Sequence, residues 1–286
     1  MTTAWAAAVV AAAAAPTARV LTVAPTPAFW VAVVGYALAL VASLVSLSGR
    51  AKADRLATGL IALALLAHGV DIGWRGVLRV HPAESVREAL GFIGFLLTGG
   101  YLVASLRQQL DLARVVVLPV SLGMLLVARL SPAGDDAADA LSGLGRVHIS
   151  LATLGVAIFA LASAVAVLYL LKDRSLRGRR LDTVSMRGDG TSLEGLDRMG
   201  HVLVWVGFPI FTLALVLGAV WVSRLGASFW RIEYPIALVT WGCFAALLGA
   251  RQLWGWRGRR AAKLTLAGFA AALVVLALYL LRRAIG

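Results

Sequence analysis

The sequence predicts an all-α, polytopic membrane bundle of about eight transmembrane helices with both termini outward, and three observations predict it. The 286 residues are 60% apolar and only 14% charged, whereas soluble domains carry about 25% charged residues. Mean hydropathy is +0.87, so a water-facing fold of this length would expose far too much apolar surface. The apolar residues also fall into stretches of about 20, the length that crosses a bilayer as a helix. A soluble globular enzyme is excluded.

The first apolar stretch, AWAAAVVAAAAA before Pro16, is too short to span and lacks the basic flank of a secretory signal. Residues 1–27 therefore read as a disordered or interfacial extension, with a cleaved leader as the alternative, and 28–286 as one membrane domain. Its first expected span, 28–48, ends at the basic Arg50, Lys52 and Arg55. The second, 55–77, is apolar except for His68, Asp71 and Arg75. The third and fourth, 88–106 and 113–130, are parted by the polar stretch that begins at Arg107. The fifth, 148–171, opens on His148 and stops at Lys172, and the sixth, 200–223, opens near His201 and stops at Arg224. The seventh and eighth, 233–254 and 262–281, flank a basic turn. The longest connection, 172–199, leaves no room for a folded soluble domain.

The net charge of +13 would suggest nucleic acid in a soluble protein. Here the basic residues lie between apolar runs, which fits loops at a membrane surface and gives no nucleic-acid partner. Basic short loops are retained in the cytoplasm. Alternate loops hold 17 of the 27 Lys and Arg residues, including the run from Lys172 to Arg198 and the run from Arg251 to Lys263. That assigns those loops to the cytoplasm and both termini to the outside of the cytoplasmic (inner) membrane. The one cysteine, Cys243, excludes an internal disulfide and a multi-cysteine metal site.

Ionisable side chains inside apolar spans are costly and are functional candidates by default. His68 lies within the second span with Asp71 three residues on, a spacing at which a carboxylate accepts from an imidazole and tunes a metal ligand. A neutral histidine bonded to a neighbouring helix is the other reading. His148 stands at the outer end of its span, where a histidine is as a rule a snorkelling polar tip. His81 precedes Pro82 in an outward loop, and His201 sits near the cytoplasmic face. Of nine tryptophans, Trp221, Trp230 and Trp241 bracket the connection between the sixth and seventh spans. An interfacial aromatic belt explains them, and so does an aromatic shelf under a flat macrocycle. The outward arginines Arg75, Arg79, Arg146, Arg224 and Arg231 are available to anionic groups, lipid headgroups included. Phosphate-loop, Gly-x-Ser-x-Gly and His-Glu-x-x-His motifs are absent.

The string LLAHGVDIGWRGVLRVHPAESVREALGF resembles cytochrome c assembly proteins of the CcsA and CcmC type, with His68, Arg75, Pro82, Glu88 and Leu90 in place. The span that opens VHISLATLG is similar to the family helix with an outward heme-binding histidine, at His148. LDRMGHVLVWVGFPIFTLALVLGAVW and RQLWGWRGRRAAKLTLAGF look like the closing helices, and the likeness covers about 55–275. The tryptophan-rich signature is degraded to GASFWRIEYPI, keeping Trp230, and the family's second outward histidine is replaced by Gly249 before Arg251. These departures resemble the HemX branch.

The resemblance implies a heme-handling protein for c-type cytochrome biogenesis, without catalytic turnover of its own. It implies His68 or His148 as axial ligand to the heme iron, Trp221 and Trp230 over the ring, Arg75 and the other outward arginines at the propionates, and His81 and His201 as secondary ligands. A second cytochrome c assembly subunit is an implied partner. The HemX alternative is control of glutamyl-tRNA reductase through protein contact, with the basic 172–198 loop as the docking surface. Small-solute transport ranks last, since neither an inverted repeat nor paired broken helices are visible.

Overall fold

The computed structural model describes residues 25–48, 50–78, 80, 82, 86–106, 110–130, 143–178, 192–224 and 233–285. Among them are eight helices: α1 (Pro27–Ser46), α2 (Ala51–Val77), α3 (Val86–Ser105), α4 (Asp111–Leu130), α5 (Gly143–Arg177), α6 (Leu193–Arg224), α7 (Glu233–Leu253) and α8 (Arg259–Ile285). Each is long and apolar enough to cross a membrane. The protein is a multi-pass helical bundle, as its composition predicts. Most of the expected 1–27 extension lies outside the described residues.

Span positions agree with the sequence reading, but α5 and α6 run further at both ends. At 35 and 32 residues they are about 52 and 48 Å long, against roughly 30 Å of hydrocarbon. Polar residues continue these helices into water, where an apolar window stops. The start of α6 has a local cause: Ser192 Oγ accepts from the Gly195 N–H at 3.0 Å, satisfying a donor that the first turn leaves free.

Adjacent helices run antiparallel, which places the start of α1 and the end of α8 at one end of the bundle. That end, here the Arg75 end, also holds the end of α2, the start of α3, the end of α4, the start of α5, the end of α6 and the start of α7. The opposite, Arg114 end holds the other termini. Helix α5 is central and packs on α3, α4, α6 and α8. Its segment from Phe159 to Val165 is buried without interruption and rich in alanine, which suits a helix surrounded by others. Phe159 stacks on Phe244 of α7 with centroids 3.7 Å apart. Helix α1 meets α2 at Gly35, where a Cβ would stand 2.9 Å from the Ala64 Cβ. Outward faces carry Val34, Leu38, Leu63, Leu66 and Val70, surface that lipid accepts.

Ion pairs fasten both ends. At the Arg75 end, Arg129 of α4 donates to Asp71 Oδ2 of α2 from Nε at 3.0 Å and Nη2 at 2.9 Å. It also reaches Glu88 Oε2 of α3 from Nη1 at 3.2 Å. Arg75 donates to the same Glu88 from Nε at 2.8 Å and from Nη2. All four side chains are buried, and two cations balance two carboxylates. Thr26 joins α1 to the cluster: its Oγ1 donates to Asp71 Oδ1 at 2.7 Å and accepts from the Phe29 N–H at 3.0 Å. At the other end, buried Arg114 of α4 donates to Ser46 Oγ at 2.8 Å and to Asp54, holding α1 and α2.

Replacing one member of a buried pair leaves its partner charged and alone, at about 3–5 kcal/mol. Arg129→Met is therefore expected to lower the thermal unfolding midpoint of the detergent-purified chain strongly. Arg177→Gln, which breaks an ion pair with Asp173 on a side chain 67% exposed, is worth at most ~1 kcal/mol. Equal melting of the two variants would refute a structural role for the cluster.

Candidate functional site

His148 is the sixth residue of α5, at the Arg75 end, and lies against the last turns of α6. Its Nδ1 is 2.7 Å from the Ala214 carbonyl oxygen. A carbonyl only accepts, so Nδ1 carries the hydrogen and Nε2 keeps its lone pair. A second bond to one ring nitrogen that fixes the tautomer is the arrangement found behind metal-binding histidines.

Three residues of α6 at helical spacing build the rest: Ala214, Gly218 and Trp221 share a face. Gly218 makes the approach possible, because a Cβ there would stand 2.6 Å from His148 Cε1 and 2.9 Å from Nδ1. Trp221 lies beside the imidazole with centroids 6.0 Å apart and planes inclined by 38°. Its indole Nε1 is buried without a hydrogen-bond partner. Arg146 and Arg224 are exposed at the same end. The site thus offers an oriented imidazole, an aromatic face, an uncommitted N–H donor and nearby cations.

His68 is different. Its ring is 0% exposed, set edge-on to Tyr36 of α1 at 5.9 Å and to Phe95 of α3 at 5.7 Å. The Tyr36 hydroxyl is in hydrogen-bond contact with Nδ1 at 3.2 Å, while Nε2 is buried without a partner. The expected bond from His68 to Asp71 is not formed, because both Asp71 oxygens are engaged by Thr26 and Arg129. Arg75 likewise departs from expectation: it is buried against Glu88 and is not an outward cation open to a ligand.

His201 lies at the Arg114 end of α6, 20 residues and about 30 Å of helix from Trp221, so these two cannot share one ligand. It lines a cleft with Tyr169, Asp197, Arg251 and Gly258, in which Asp197 accepts from Arg251 and from the Gly258 N–H at 2.7 Å. Gly249 stands at this same end, beside Arg251 of α7. The missing histidine at that position therefore takes nothing from the His148 site, a correction to the reading of Gly249 as an outward position. Trp241 is committed elsewhere, donating from Nε1 to Thr212 Oγ1 at 3.0 Å. Trp230, His81, Arg79 and Arg231 lie outside the described residues. Among the described residues, no three His, Cys, Asp or Glu side chains are grouped to hold a metal ion.

Sequence reasoning passed over Ala214, Tyr36, Thr26 and Arg129. Only Arg129 carried a usable signal, as a cation at the end of an apolar span. Gly218 appeared only as a point of family likeness.

The model of the family described as Cytochrome C assembly protein matches residues 84–285, which includes His148, Gly218 and Trp221 but not His68 or Arg75. Among curated proteins, the chain is 29% identical over 270 residues to cytochrome c biogenesis protein CcsA of Gloeobacter violaceus, covering 75% of this chain and 80% of that one. CcsA of Microcystis aeruginosa is 27% identical over 238 residues, 66% of this chain and 73% of its own. CcsA of Thermosynechococcus vestitus is 28% identical over 263 residues, 78% and 79% respectively. No solved structure matches. With more than two thirds of its length matched by the family model, the chain belongs to the cytochrome c assembly protein family.

Proposed function

We propose that this protein handles heme in c-type cytochrome biogenesis, with heme as cargo and no catalytic turnover, and that His148 is the side chain that meets the iron. The observation that carries this reading is the His148 imidazole, tied through Nδ1 to the Ala214 carbonyl with Nε2 left free beside Trp221. Iron in a porphyrin needs one or two axial donors and no cage of ligands, so a single oriented histidine is chemically sufficient. Trp221 gives the ring an apolar face, with an indole N–H that has no other partner. Arg146 and Arg224 are exposed where carboxylates at the heme edge would be met.

His68 supports the reading less directly. To ligate iron it would have to part from Tyr36 and Phe95, separating α2 from α1 and α3. Trp230 and His81 remain candidates on sequence grounds. The degraded tryptophan-rich signature supports a second reading, in which the chain regulates glutamyl-tRNA reductase by contact through the basic loop. A pull-down on the full chain that recovers cytochrome assembly subunits and not that enzyme would set it aside. The distribution of basic residues between alternate loops supports a place in the cytoplasmic membrane with both termini outward, which a reporter fused to the C-terminus checks by being active outside and inactive inside.

After heme-replete expression the purified protein is expected to show a Soret band. His148→Ala should abolish it, and added imidazole should restore part of it. Gly218→Ala, which drives a methyl into the His148 ring, should weaken heme affinity roughly tenfold to a hundredfold, as lost orientation of a ligand does. His68→Ala should retain the band. A band untouched in His148→Ala but lost in His68→Ala would reverse the assignment.

A further inference from the structure

The connection between α7 and α8 needs only to reverse the chain, yet it is built far more firmly than that. Gly255 and Gly258 both take φ of +64°, the left-handed region that favours glycine. The N–H groups of Trp254 and Trp256 both donate to the Ala250 carbonyl, at 3.0 and 3.2 Å. The Gly258 N–H donates to Asp197 of α6 at 2.7 Å, and Arg251 is held by the same carboxylate. A Cβ on Gly258 would stand 2.6 Å from the Tyr169 hydroxyl of α5. Three helices therefore fix the turn.

What the fixed turn displays is unlike a plain loop. Leu253 and Trp254 are 76% and 70% exposed at the point where the apolar span of α7 ends. Trp256 lies beside Trp254 at 6.5 Å, and the Arg260 guanidinium sits 5.7 Å over its ring. Among the described residues the charges here are not balanced. Asp197 answers Arg251, and Asp173 is shared between Arg177 at 3.0 Å and Arg259 at 3.9 Å. Arg257, Arg260 and Lys263 are exposed and meet no carboxylate among the described residues.

We infer that this turn is a binding site for an anionic phospholipid headgroup in the leaflet that the basic residues assign to the cytoplasm. Three cations that meet no carboxylate among the described residues supply the phosphate partners. Leu253 and Trp254 supply apolar surface at the depth of the glycerol and upper acyl chain, where indole rings settle. Phosphate alone would leave that apolar surface unused, and an acidic soluble protein would not reach residues at the end of a span.

The test is titration of the detergent-purified full chain with phosphatidylglycerol and with phosphatidylcholine, followed by native mass spectrometry. The wild type is expected to prefer phosphatidylglycerol, and Arg257→Gln, Arg260→Gln and Lys263→Gln should each weaken its retention roughly fivefold. The control Arg50→Gln/Lys52→Gln/Arg55→Gln removes three cations from the same end of the bundle and should leave the preference intact. No preference in the wild type, retention unchanged in the triple Arg257→Gln/Arg260→Gln/Lys263→Gln variant, or an equal loss in the control would each overturn the site.

Discussion

Within a bilayer a charge has no water to turn to, and Arg129 is the residue through which this chain meets that constraint. Its guanidinium serves Asp71 on α2 and Glu88 on α3 together, so three helices share one arrangement of charge. Arg75 completes the neutrality and Thr26 extends it to the first turn of α1. The desolvation of four ions is large, and it is tolerable only in the geometry that gives each its partners. Helix packing in lipid gains little from apolar surface as such, because the acyl chains are equally apolar. Polar registration therefore carries more of the burden of specifying which face of α2 meets α3 and α4.

The second half of the bundle is registered differently. Helices α5 and α6 approach through small residues, with Gly207 of α6 against Phe159 and Gly155 of α5 against Phe211. The same close approach continues to the Arg75 end, where Gly218 receives the His148 ring. His148 is thus positioned by the packing of the two longest helices, not by a loop, and a ligand on a rigid element is held more exactly than one on a connection. At the Arg114 end, Asp197 does for α6, α7 and the turn before α8 what Arg129 does for the first half.

The eight spans were legible because each is a long apolar run, and their ends were not, because helices persist into water beyond the residues that lipid selects. His148 and Trp221 were legible as residue types. Their meeting was not, since it depends on the absence of a side chain at Gly218, 70 positions away from His148 in the chain. Arg75 and Glu88 show the opposite failure. Both were noted for their place in a family-like string, and the fold joins them to each other. A string shared with relatives records that residues matter, not whether they hold a ligand or a helix. Gly249 was misplaced because a motif carries no direction along the membrane normal, which α7 supplies by running from the Arg75 end to the Arg114 end.

His68 and His148 are both engaged through Nδ1 alone among the described residues, yet their surroundings separate them. His68 is sealed by rings from α1 and α3, next to a charge cluster that resists any parting of those helices. Movement there would set the ions of Asp71 and Arg129 against lipid, so a ligand could reach His68 only at the expense of the strongest contacts in the first half. His148 lies at the rim of the bundle, half-buried, with its tautomer already fixed by a backbone carbonyl that no ligand needs to displace. A ligand at His148 would leave the ion cluster whole, so the rigidity that Arg129 imposes on α2, α3 and α4 would not have to yield to it.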